Sequence, residues 1–176
     1  MEIEELQDLE KSNTSLVISD VEKIQLVANT IIKSYKNHIG VYVCLNRPQK
    51  AVKQILEKEK IKTDKVFFVD CITSHVGEPN KSEGVLHICS PADLSGLTIA
   101  VREFVKSVKG KKYILVDALA VLLIYNKEEV AIKFVKSLVE LAHKYETKLI
   151  MLTQEINKGE FISTIIPFFD KIIRIK

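Results

Sequence analysis

The stretch GVYVCLNRPQKAVKQILEKEKI, residues 40–61, decides the fold. It opens with Val41–Leu45, a β-branched run without polar alternation, which is how a strand buried on both faces reads. Asn46 and Arg47 interrupt the run, and Pro48 then starts a helix whose apolar positions Val52, Ile55 and Leu56 share one face. A doubly buried strand followed at once by an amphipathic helix is one unit of a parallel sheet covered on both sides.

The same alternation recurs in both directions. Upstream, Leu16–Ser19 reads as a first strand bounded by Ser12–Ser15, and Ile24, Val27, Ala28, Ile31 and Ile32 recur at helical spacing before His38 and Gly40. Downstream come a strand at Val66–Asp70, a polar and exposed loop at Ser74–Gly84, a short strand at Val85–Cys89 and a helix over Leu94–Val108. Lys112–Asp117 and a helix over Lys127–Tyr145 follow, then Lys148–Thr153, a variable segment, and a final strand at Lys171–Ile175. The expected architecture is an α/β fold of three layers, α-β-α, around a mostly parallel central sheet. One domain is expected over 1–176, with residues 1–14 a lead that is helical over Ile3–Lys11.

Composition narrows the function classes. Hydrophobic residues make up 47% and charged residues 28% of the 176, the mixture of a packed globular chain. The net charge is +3, and of the 26 basic residues only Arg47, Arg102 and Arg174 are arginines, so the chain is poor in phosphate-gripping forks. Nucleic-acid binding is therefore not expected. No apolar run reaches the ~20 residues that cross a bilayer, and the start MEIEELQDLE is unlike a secretory signal, so a cytoplasmic protein with no membrane partner is expected. Cys44, Cys71 and Cys89 lack CxxC spacing and read as buried reduced thiols. His38, His75, His87 and His143 lie in separate segments without metal-ligand spacing.

In open parallel sheets, ligands bind beyond the carboxyl ends of the strands. The residues there are Asp20, Asn46, Arg47, Asp70, Asp117, Thr153 and Gln154. Tyr113–Asp117 has the form of a Walker B strand, four hydrophobic residues and an Asp that holds Mg²⁺, although a buried strand also ends in Asp where the carboxylate caps the next turn.

Taken in order, GVYVCLNRPQKAVKQILEKEKI, KVFFVDCIT, GKKYILVDALAVLLIYN, KLIMLTQE and FFDKIIRI resemble the archaeal KaiC-like branch of the RecA superfamily, over residues 15 to 176. The resemblance implies a RecA-type core that binds ATP between subunits, commonly in rings. It also implies a phosphate loop, GxxxxGK[ST], between the first strand and first helix. Here that junction reads SDVEKIQLVANT, and the first glycine of the chain is Gly40, so no residue free to take positive-φ turns is present to wrap a phosphate. Asp20 reads as the helix N-cap, and with Glu22 it puts negative charge where phosphates would sit; Lys23 reads as a solvated first-turn residue. The family's water-activating glutamates correspond to Asn46 and Arg47, neither of which is a base at neutral pH. Thr153 and Gln154 match the sensor position, and Asp117 the metal ligand, so these three are the candidate vestigial nucleotide- and metal-binding residues.

The leading expectation is a non-catalytic RecA/KaiC-like module acting through a protein partner or homo-oligomer in interaction, regulation or signalling, with no obligate cofactor and no ATP hydrolysis by the family mechanism. Two alternatives stand beside it. One is an enzyme with Mg²⁺ or a nucleotide bound, either an ATPase with an unconventional phosphate loop or an enzyme whose hard-metal site is drawn from Asp20, Asp70 and Asp117, a receiver-like phosphoacceptor domain being one version. The other is a DNA-associated RecA paralogue that supports a catalytic partner, against which the loops Ser74–Gly84 and Ile156–Ser163 offer only Lys81 and Lys158 as fixed positive charges. The apolar block from Phe161 to Phe169 is expected to cover the sheet edge, any exposed remainder serving as partner surface.

Overall fold

A computed structural model describes residue 6 and residues 9–76, 83–154 and 160–175. The strands are β1 (Thr14–Ser19), β2 (Ile39–Cys44), β3 (Val66–Asp70), β4 (Val85–His87), β5 (Lys112–Val116), β6 (Lys148–Thr153) and β7 (Lys171–Ile175). The helices are α1 (Ile24–Ser34), α2 (Gln49–Lys58), α3 (Thr73–Val76), α4 (Leu94–Ser107), α5 (Leu122–Tyr125), α6 (Glu128–Lys144) and α7 (Phe161–Ile165). The sheet runs β4-β3-β2-β5-β6-β1-β7, and every neighbouring pair is parallel.

The period of two along each strand divides the core. Leu16 and Ile18, Val41 and Val43, Ile114 and Val116, and Leu149 and Met151 face α4, α6 and α7. Val17, Tyr42, Cys44, Tyr113, Leu115, Ile150 and Leu152 face α1 and α2. Both faces of the central strands are apolar because both are covered. Each aliphatic side chain so buried contributes about 1.5–3 kcal/mol.

Several local features differ from expectation. The polar loop after β3 begins with a helical turn, α3, nucleated by Asp70. A 3-10 turn, Val21–Lys23, precedes α1, and Asp20 stands at its N-cap with extended backbone but makes no side-chain capping bond. α5 is an additional short helix between β5 and α6. Cys44 and Cys71 are buried as expected, whereas Cys89 is exposed. In the late apolar block, Phe161, Ile165 and Phe169 are buried, and Ile162, Ile166 and Phe168 pack against the same core, so the large exposed apolar side chains lie elsewhere. Most of the expected lead helix and parts of both candidate loops, with Lys81 and Lys158, lie outside the described residues.

β7 is held beside β1 by a reciprocal clasp. The Asp170 carboxylate accepts from the amides of Asn13 and Thr14 at 3.2 and 2.9 Å, and the Thr14 hydroxyl accepts from the Asp170 amide at 3.0 Å. Among the described residues no helix is long and apolar enough to cross a membrane.

Candidate functional site

The helices following β1 and β2 cover one face of the sheet, and those following β5 and β6 cover the other. Since β2 lies beside β5, and β6 beside β1, the direction of winding reverses at both boundaries. Such reversals open a crevice at the carboxyl ends of the strands. A cavity of about 370 Å³ occupies it. Val21 and Ile24 after β1, Asn46 after β2, Ala118, Ala120, Val121, Leu123 and Ile124 after β5 and Gln154 after β6 form its walls.

These walls are mainly aliphatic. Val21 is 66% exposed and Ile124 76% exposed, the two highest values among the large apolar side chains described, and both belong to this lining; Phe67, Leu86, Ile99 and Val130 are exposed elsewhere. Asn46 and Gln154 are the polar side chains in the lining. Ala118 begins the β5 wall with a left-handed backbone, φ +51°, a conformation that costs a non-glycine residue about 1–2 kcal/mol. That kink lets Val121 bond back to the Ala118 carbonyl at 2.8 Å and turns the chain across the crevice.

Asp117, at the end of β5, does not line the cavity. Its carboxylate accepts from the Leu45 amide at 2.7 Å and from the Tyr42 hydroxyl at 3.1 Å, tying β5 to the end of β2. Burial pushes its pKa up to about 6, against the lowering effect of these donors and the Asn46 amide. The group is therefore a buried strand-end clamp whose charged form is costly.

Asp70, at the end of β3, is fully buried and more fully bonded. One oxygen accepts from the amides of Ile72 and Thr73 at 2.8 and 2.9 Å; the other accepts from the Gln49 amide at 2.8 Å and the Thr73 hydroxyl at 2.6 Å. Burial raises its pKa, but the bonds from Thr73, Gln49 and Ile72 prevail and hold it below the usual value. It caps the starts of α2 and α3 together. Among the described residues no three His, Cys, Asp or Glu side chains converge as a metal site.

The structure thus brings Asn46 and Gln154 to one cavity and keeps Asp117 and Thr153 behind it. Thr153 is fully buried, and its hydroxyl donates to the Gln154 carbonyl at 3.1 Å. What the sequence reading missed is the aliphatic wall from Ala118 to Ile124. The signal was present in ALAVLLI, which is too apolar for a solvated strand-to-helix connection.

The all-parallel sheet, its order and its two covered faces define an α/β domain with the RecA-type fold of KaiC-like proteins. Two crystal structures of Pyrococcus horikoshii proteins share it. The KaiC-like protein PH0186 superposes with a TM-score of 0.62 and 13% identity, over 92% of this chain and 70% of that one. The uncharacterized protein PH0321, solved in complex with an unknown peptide, superposes with a TM-score of 0.72 and 14% identity, over 98% and 82%. The chain belongs to a family of unknown function, DUF7090, whose model matches residues 16–176. No curated protein matches the sequence.

Proposed function

We propose that this protein is a non-catalytic RecA/KaiC-like module that binds a polypeptide segment in the crevice at the carboxyl ends of its strands. The observation that carries the reading is the character of that crevice: an aliphatic hollow flanked by the exposed side chains of Val21 and Ile124, where a phosphate site would need amides and charge. The glycine-free β1–α1 junction and the Asn46–Arg47 pair support loss of ATP chemistry. Asp117, engaged by Leu45 and Tyr42, is occupied with holding strands. That PH0321 was crystallised with a peptide adds support for a polypeptide ligand on this fold.

Selection of a random peptide library on the purified protein tests the reading. Enriched peptides should be rich in apolar residues and should lose binding to Val21→Asp and Ile124→Asp variants whose circular dichroism is unchanged. MgATP turnover that disappears in Asp117→Asn, or selected peptides indifferent to both substitutions, would rule it out.

A further inference from the structure

The opposite end of the sheet carries a second hollow, larger than the first and different in chemistry. It has a volume of about 570 Å³ and lies at the amino ends of β2, β3 and β5, between the α1–β2 and α2–β3 connections. Its rim is basic: Lys33, Lys36, Lys60, Lys62 and Lys65 line it against a single acid, Asp64. Five lysines less one aspartate give this wall a formal charge of +4, whereas the entire chain carries +3. The wall is a local concentration of positive charge, with Glu10 near Tyr35 and His38 as a further acid beside Asp64 and Glu59. Lys33 meets Glu59 at 3.9 Å; Lys36, Lys60, Lys62 and Lys65 make no ion pair among the described residues.

The floor is aromatic. Gly40 stands opposite Tyr113 in the β2–β5 register, and a side chain at Gly40 would collide with the Tyr113 ring. Glycine therefore lets that ring lie flat over β2, where it meets Tyr35 at 5.2 Å between centroids; His38 meets Tyr35 edge-on at 5.0 Å. Tyr35 is 1% exposed, yet among the described residues its hydroxyl has no hydrogen-bond partner, and neither has Nδ1 of His38 beside it. Burial holds the tyrosine protonated and lowers the histidine pKa, so two neutral polar groups stand unpaired in one wall. Native interiors rarely leave such groups unpaired, and each does so at a cost that a bound molecule can offset.

We propose that this hollow is a binding site for a small phosphorylated molecule with a hydrogen-bonding aromatic ring, of the nucleotide class. The lysine rim takes the phosphate as a set of point charges, and the aromatic floor takes the ring, whose polar edge supplies the partners missing at Tyr35 and His38. The volume falls within the roughly 300–1,000 Å³ of small-molecule sites. The inference is independent of the peptide-binding reading, which concerns the other end of the strands.

Titration of AMP, ribose 5-phosphate and inorganic pyrophosphate into isotopically labelled protein, followed by amide NMR, tests it. AMP should shift the amides of residues 35–40 and 60–66, bind more tightly than either fragment and weaken as salt is added. The double variant Lys62→Glu, Lys65→Glu should lose affinity by about tenfold or more. Tyr35→Phe should also weaken AMP binding while leaving the ligand-free melting temperature equal or higher, since it deletes an unpaired buried hydroxyl. A purely structural Tyr35 would not separate the two readouts in that way. Absence of shifts at millimolar AMP, shifts confined to the carboxyl-end crevice, or equal binding of pyrophosphate and AMP would overturn the proposal.

Discussion

β3 and β5 end alike, in VFFVD and YILVD, yet their aspartates sit in opposite electrostatic environments. Asp70 receives four hydrogen bonds from a turn and a helix start that close around it; Asp117 receives its bonds from Leu45 and Tyr42, with Asn46 nearby, at the edge of an apolar crevice. Both are buried. Asp117 lies deeper in the protein and is the more strongly desolvated, so its donors fall short where those of Asp70 prevail: one pKa falls below the usual range and the other rises to about 6. The same motif can therefore hold a helix start together or merely clamp two strands, and hydrophobic-hydrophobic-hydrophobic-Asp does not by itself mark a metal ligand.

That contrast can be broken at three places. The largest effect should come from Asp70→Ala, which strands three amides and a hydroxyl in a buried site; a loss of about 4 kcal/mol or more is expected in chemical denaturation at pH 7. Its lowered folded pKa means that the wild-type contribution is present above the unfolded value and is lost as pH falls through the folded one.

Asp117 should behave with the reverse sign. Its folded pKa of about 6 lies above the ordinary aspartate value of 3.8, so stability is fully present below the unfolded pKa and declines as pH rises toward and through about 6. The decline should amount to about 3 kcal/mol. Asp117→Asn should flatten that step in a series of denaturation curves from pH 4 to 7, and should be no less stable than wild type at pH 7. A wild-type curve already flat across this interval would show that the buried carboxylate is better solvated than its surroundings imply.

The smallest effect belongs to Tyr42→Phe, which removes the hydroxyl donated to Asp117. A cost of about 1–2 kcal/mol at neutral pH is expected. The pH step should move upward, because that bond favours the charged carboxylate. A cost without any movement of the step would assign Tyr42 to packing alone.

Much of the fold was legible because its strands are buried on both faces. A run such as VYVCL admits few placements other than a covered sheet, and β3, β6 and β7 begin and end where the sequence places them. The ends of helices were less legible, since they depend on caps. Asp20 occupies a capping position without capping, while Asp70 caps two helices, one of them distant in sequence. The carboxyl-end cavity was half legible: Asn46 and Gln154 follow from strand-end logic, but its aliphatic wall depends on where the Ala118 kink sends the chain.

The amino-end hollow shows the limit most clearly. Its lysines come from separate connections and its floor from a third strand, so no local window contains it. By itself the sequence determined the alternation of strands and helices, the doubly covered sheet and the absence of glycine at the β1–α1 junction, because hydrophobic period and backbone freedom are properties of neighbouring residues. Tertiary structure alone decided which carboxylates are satisfied, where positive charge gathers and which apolar side chains remain in water, since each depends on distances between residues far apart along the chain.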